Sequence, residues 1–136
     1  MKTKRSTSII SKSLLFMAIL FTVGTVRLAA CEISFEVIKN KKEKYDIGDI
    51  IVVKVTVIYT HRICLIGIQK TEFQTSGLKV IGTKEWVEVK MGVYERELKI
   101  KVTGTKKGKV FISAVRKCEK EGGFGTLELE AEPLKD

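Results

Sequence analysis

The chain has one histidine, one tryptophan and one proline in 136 residues, and its three cysteines include no Cys-x-x-Cys pair. Each scarcity excludes something. A Ser-His-Asp triad would have to recruit the lone His61, and no Gly-x-Ser-x-Gly turn is present to hold a nucleophile. A blue-copper centre needs two histidines beside a cysteine. A thiol–disulfide enzyme usually sets two cysteines in one turn to lower a thiol pKa, and none are so placed. Glu119 and Glu121 share a charged loop, where raising one carboxyl pKa is difficult. The sequence is therefore read as non-catalytic, with no cofactor and no resident metal. Pro133 lies close to the end, and repeats, low-complexity stretches and internal linkers are absent. Helical spacing of apolar residues is missing after Cys31, and no apolar run reaches the roughly 20 residues of a membrane span.

What is present begins with a basic start and a short apolar run. Lys2, Lys4, Arg5 and Lys12 precede Leu14 to Val26, and no acidic residue occurs before Glu32. This is the layout of a secretory signal, expected to be helical, over residues 1–30. Leu28-Ala29-Ala30-Cys31 resembles a bacterial lipobox, whose cysteine is acylated and becomes the new N-terminus; Arg27 before it is unusual for that motif. The expectation is a lipid-anchored protein in the bacterial cell envelope, or the periplasm. The alternative is a secreted one cut nearby by ordinary signal peptidase, although a cut after Ala30 would put bulky Leu28 at a position where that enzyme wants a small residue. A diacyl-plus-acyl anchor holds firmly where one chain binds only marginally.

Processing changes both charge and cysteine arithmetic. The whole chain carries 25 basic and 16 acidic residues, but residues 1–30 hold five of the former and none of the latter. The remainder has 20 against 16, or +4, and 7% aromatics give little stacking surface, so a nucleic-acid partner is not expected. With Cys31 lipidated, Cys64 and Cys118 remain in an oxidising compartment where disulfides persist. Their pairing would close a loop of about 55 residues, worth about 4 kcal/mol in the chain-entropy model.

About a hundred residues follow Cys31, enough for one domain, and they alternate with period two. Ile33, Phe35 and Val37 interleave with Glu32, Ser34 and Glu36; Val53, Val55, Val57 and Tyr59 oppose Lys54 and Thr56. Tyr94, Leu98, Ile100 and Val102 oppose Glu95, Glu97, Lys99 and Lys101, and similar patterns run through Val110–Ala114 and Leu127–Ala131. Less regular strands are expected over Cys64–Lys70, Leu78–Ile81 and Lys84–Val89. Turn signals separate them at Asp46-Ile47-Gly48-Asp49, Ser76-Gly77, Met91-Gly92, Thr103-Gly104, Lys107-Gly108 and Gly122-Gly123-Phe124-Gly125. Seven or eight such strands predict an all-β, antiparallel sandwich, with 31–44 as anchor residue and first strand, 45–132 as the sandwich and 133–136 as a tail.

Asp46-Ile47-Gly48-Asp49 leading into Ile50–Thr60, and Gly92-Val93-Tyr94-Glu95-Arg96 through Lys101 with Gly108-Lys109-Val110 after it, resemble bacterial Ig-like envelope domains. The resemblance covers about Tyr45 to Ala131. It departs from antibody-type domains, because Arg116 rather than tyrosine stands two residues before Cys118 and no tryptophan stands two strands from the first cysteine. The resemblance implies an architecture, not immunoglobulin functions.

With Ig-like connectivity, three turns share one end: Thr60–Cys64, Lys90–Gly92 and Arg116–Gly125. Binding residues concentrate on loops held by a rigid scaffold, so His61, Arg62, Met91, Arg116, Lys117 and Phe124 are the candidate contact residues. Arg62, Arg116 and Lys117 are solvated or recognise a carboxylate or phosphate. Trp86 is expected in the core, and Phe124 either there or at a contact. The glycine-rich turn, followed by a strand rather than a helix, is read as glycines at positive φ rather than a phosphate loop. The expected function is an assembly or binding module for another envelope protein or surface polymer. The alternative is a redox or soft-metal (copper) accessory protein using Cys64, Cys118 and His61.

Overall fold

Residues that alternate in sequence alternate in burial. In the computed structural model, β3 (Ile50–Tyr59) buries Ile51, Val53, Val55 and Val57 completely, and Lys54 and Thr56 lie on the opposite face. β7 (Val93–Val102) does the same with Leu98, Ile100 and Val102, and β8 (Lys109–Arg116) with Val110, Ile112 and Ala114. The structure describes residues 31–60, 64–118 and 122–135; the signal segment and its expected helix, and the loop residues His61 and Arg62, lie outside the described residues.

The strands form two sheets. In the first the order is β1 (Cys31–Lys39), β3, β7 and β5 (Leu78–Thr83), with β6 (Val87–Lys90) also pairing β7, all antiparallel. In the second it is β2 (Lys44–Tyr45), β9 (Gly123–Ala131), β8 and β4 (Glu72–Ser76), parallel only between β2 and β9. Buried side chains of both sheets belong to one core cluster, Tyr45 among them. Each fully buried Val, Leu or Ile contributes about 1.5–3 kcal/mol of transfer free energy. On the outer face of the first sheet Lys54 lies 3.2 Å from Glu36 and 4.0 Å from Glu95. Such exposed pairs contribute little to stability.

Three expectations need correction. Nine strands, not seven or eight, are formed among the described residues. The two additions are short: β2, which buries only Tyr45, and β4, whose Phe73 alone packs against the core. Residues 64–70, expected as a strand, form no ladder and end in a single 3-10 turn at Ile68–Lys70. Their carbonyls are taken by a buried guanidinium, as described below. Finally, Gly122, Gly123 and Gly125 do not adopt positive φ. The last two allow β9 to pass close to β1. A Cβ on Gly123 would lie 2.6 Å from the carbonyl oxygen of Cys31, and one on Gly125 would meet the carbonyl oxygen of Ile33. By contrast, Gly92 in the Met91-Gly92 turn does sit at φ +72°, as the turn signal requires.

A three-thiol pocket at one end of the two sheets

The register collects chemistry at one end. Cys31, the first residue of β1, pairs with Tyr59, the last of β3. Arg116, the last of β8, pairs with Gly123, the first of β9. Cys118 follows two residues after Arg116, and Cys64 enters from the segment after β3. The Sγ atoms of Cys64 and Cys118 are 3.1 Å apart, those of Cys31 and Cys118 4.0 Å, and all three lie within 4.8 Å of one another. Cys31 is buried at 1% exposure, while Cys64 and Cys118 are half-buried.

The expected Cys64–Cys118 disulfide is not formed; all three are free thiols, because 3.1 Å is well beyond an S–S bond of about 2.05 Å. Cys64 and Cys118 are neighbours as expected, and Cys31 joins them as a third sulfur. Cys31, expected to carry lipid, packs its side chain into the interior against β9.

Arg116 holds the pocket together. It continues the inward face of Val110, Ile112 and Ala114, and is itself 1% exposed, not a solvated loop residue. Its Nη1 donates to the carbonyls of Gly67 (3.3 Å) and Ile68 (3.1 Å) and to Thr71 Oγ1 (2.9 Å). Its Nη2 donates to Tyr59 Oη (3.0 Å), the Ile66 carbonyl (2.8 Å) and Cys64 Sγ (3.7 Å). The guanidinium carbon also sits 5.0 Å from the Tyr59 ring centroid. This fork fixes the segment that carries Cys64 and explains why it joins no sheet. Among the described residues no carboxylate lies within ion-pair distance of Arg116, and its Nε has no partner.

Burial pushes the Cys64 thiol up, but hydrogen bonds from Cys118 and from Arg116 outweigh it and hold Cys64 below the usual thiol range. Cys118 goes the other way. Burial first, then its hydrogen bond to Cys64, push it up to about 12. Tyr59 is also pushed up to about 12, by burial, with Arg116 opposing. The unfolded phenol titrates near about 10. The folded state therefore holds this proton more tightly, and the resulting stability is present below pH 10 and lost as pH rises toward 12. In a near-ultraviolet tyrosinate titration, one step is expected near pH 12 in the parent and absent from Tyr59→Phe. An unchanged profile in the variant would remove Tyr59 from the pocket.

Comparison with protein-family models, curated proteins and solved structures finds no match.

The other candidates divide. Met91 is 94% exposed and Phe124 66% exposed, so Phe124 is a surface residue. Lys117 is exposed and 3.9 Å from Glu72. Trp86 is partly buried on the core margin, stacked on Phe73 at 6.4 Å, with Arg96 Cζ 5.4 Å from its ring centroid. Sequence reasoning missed Leu65, 78% exposed beside Cys64, and Tyr59 as a hydrogen-bond acceptor in the pocket. It also missed the inward Arg116, although the alternation of β8 carried that signal. Among the described residues, Cys31, Cys64 and Cys118 are the one group able to present three ligand atoms to a metal.

Proposed function

We propose that this chain is an exported, non-catalytic binding module of Ig-like sandwich architecture, and that its binding end is the end carrying the thiol pocket. Support for the architecture comes from strand order: β1-β3-β7-β5 and β9-β8-β4 correspond to the A-B-E-D and G-F-C orders of Ig domains. Export follows from the signal-like residues 1–30, with an envelope protein or surface polymer as the partner class. In this reading Cys31 keeps its thiol for the pocket rather than for an anchor, and the intact mass of the exported protein distinguishes the two.

One observation carries the choice of end. Leu65, Met91 and Phe124, 78%, 94% and 66% exposed, are the three most exposed large apolar side chains among the described residues, and each is next in sequence to a residue of the thiol end. Leu65 adjoins Cys64. Met91 adjoins Gly92, whose carbonyl accepts from the Tyr59 N–H at 2.8 Å. Phe124 adjoins Gly123, which lies against Cys31. Exposed apolar side chains scattered singly need no explanation, but a group of them at one loop end marks a contact surface. Photo-reactive residues placed at Met91 and Phe124 in intact cells are expected to give a reproducible adduct, with none from Ile47 at the opposite end. Equal labelling from all three positions, or none from the first two, would refute the assignment.

A further inference from the structure

We infer that Cys31, Cys64 and Cys118 form a three-thiolate site for one thiophilic d10 metal cation, of the zinc(II) or copper(I) kind, with Arg116 as its charged positioning residue. This rests on the reading of the pocket end as the binding end and supplies its ligand.

The geometry is close to what a metal needs. With metal–sulfur bonds of about 2.3 Å, three sulfurs around an in-plane ion stand about 4.0 Å apart, and slightly closer if the ion rises out of the plane. The pocket already holds sulfurs 3.1 and 4.0 Å apart, with none beyond 4.8 Å from another. Changes of about 1 Å in these separations complete the triangle. Cys31 is fixed by its pairing with Tyr59, Cys118 by the end of β8, and Cys64 by the Arg116 fork on residues 66–68.

Charge selects the ligand class. Arg116 is a buried cation facing no carboxylate among the described residues, and a buried charge requires a counter-charge. Among the described residues, the sulfurs are the groups beside Arg116 that can supply one as thiolates. Three thiolates beside one guanidinium leave two net negative charges, which a divalent ion cancels. A monovalent ion reaches the same balance if one thiol keeps its proton. Hard cations such as magnesium and calcium take oxygen ligands, and soft sulfur donors select zinc or copper(I) instead. A disulfide between Cys64 and Cys118 would leave Cys31 as an unused buried thiol, whereas a metal uses all three. Outer groups that orient ligands matter nearly as much as the ligands, which is the part Arg116 plays through Cys64.

The test uses the full chain, purified anaerobically with its thiols reduced. It is titrated separately with zinc(II) and with copper(I) supplied from a competing chelator, and read by native mass spectrometry and metal-edge X-ray absorption. One ion per chain with three sulfur neighbours is expected, and the ion that wins the competition identifies which of the two is held. Cys31→Ser removes a ligand and is expected to weaken binding by more than the roughly 10–100-fold lost with an outer-shell partner, while leaving the circular dichroism spectrum unchanged. No retained ion, or a Cys31→Ser variant that binds as tightly as the parent, would overturn the site. Photo-crosslinking from Met91 does not depend on metal, so its persistence without bound ion would defeat this inference alone, and its absence alongside a bound ion would defeat only the partner surface.

Discussion

Arg116→Ala is expected to lower stability by about 3–5 kcal/mol, the range for removing one partner of a buried charged network. For a domain of this size that is a fall of about 15–30 °C in thermal midpoint. The loss has several parts. Cys64 loses its neighbouring positive charge. Tyr59, Thr71 and the carbonyls of Ile66, Gly67 and Ile68 lose their donor, and each buried group left unpaired costs about 1–3 kcal/mol. Water entering at the half-buried sulfurs recovers part of this. Arg116→Lys keeps the charge but not the planar fork, so it falls between parent and alanine. Arg96→Ala provides the contrast. Arg96 also caps an aromatic ring and donates to a carbonyl, at Lys84. It does so at the surface, so a change of less than about 1 kcal/mol is expected. Calorimetry of the three variants checks this. If Arg116→Ala melts within a few degrees of the parent, the guanidinium does not organise the pocket.

Gly125→Val is expected to cost about 3 kcal/mol, at the upper end of the usual overpacking range. A Cβ at this position would meet the carbonyl oxygen of Ile33, its carbonyl carbon at 2.9 Å and its Cβ at 3.0 Å. These are largely backbone atoms of a paired strand, so no flexible side chain can step aside. β1 must move away from β9, and the sheets part at the end where Cys31 sits. Amide exchange along β1 is expected to accelerate in the variant, and urea unfolding to shift accordingly. Gly67→Ala is the control. A Cβ there meets nothing within 4 Å, and its φ of −55° suits alanine, so stability is expected to hold or rise by a few tenths of a kcal/mol. Similar costs for both glycines would mean that close approach of β1 and β9 is not what Gly125 serves.

Much of the fold was legible because half-buried strands print their burial into the sequence. Ile51, Val53, Val55 and Val57, or Leu98, Ile100 and Val102, need no partner to be read as one face. Other elements left weaker traces. β4 holds one apolar residue, Phe73, in five, and pairs through its backbone with β8, which sequence pattern does not register. Residues 64–70 are apolar enough to suggest a strand, but their carbonyls go to a residue about fifty positions later. The glycines at 122–125 resemble a turn, and what demands them is the backbone of a strand ninety residues earlier.

The site was read in pieces. Cys64 and Cys118 were expected to be neighbours, and they are, though as thiols. Arg116 reads locally as a loop residue, solvated or recognising an anion, although the period of β8 points it inward beside Ala114. Cys31 was assigned to lipid on a four-residue motif. Only the β1–β3 register, which sets it opposite Tyr59, brings it to the other two sulfurs. Long-range pairing of this kind is invisible to local pattern, and it is what converts two cysteines into a cluster of three.

The central claim is that these three sulfurs share one pocket beside Arg116. An anomalous-scattering map of crystals of the reduced protein locates sulfur atoms directly. Three cysteine peaks, each within 4.8 Å of the others and adjacent to a buried guanidinium, are predicted. A Cys31 peak lying apart from the other two, facing solvent or carrying an acyl chain, would contradict the account.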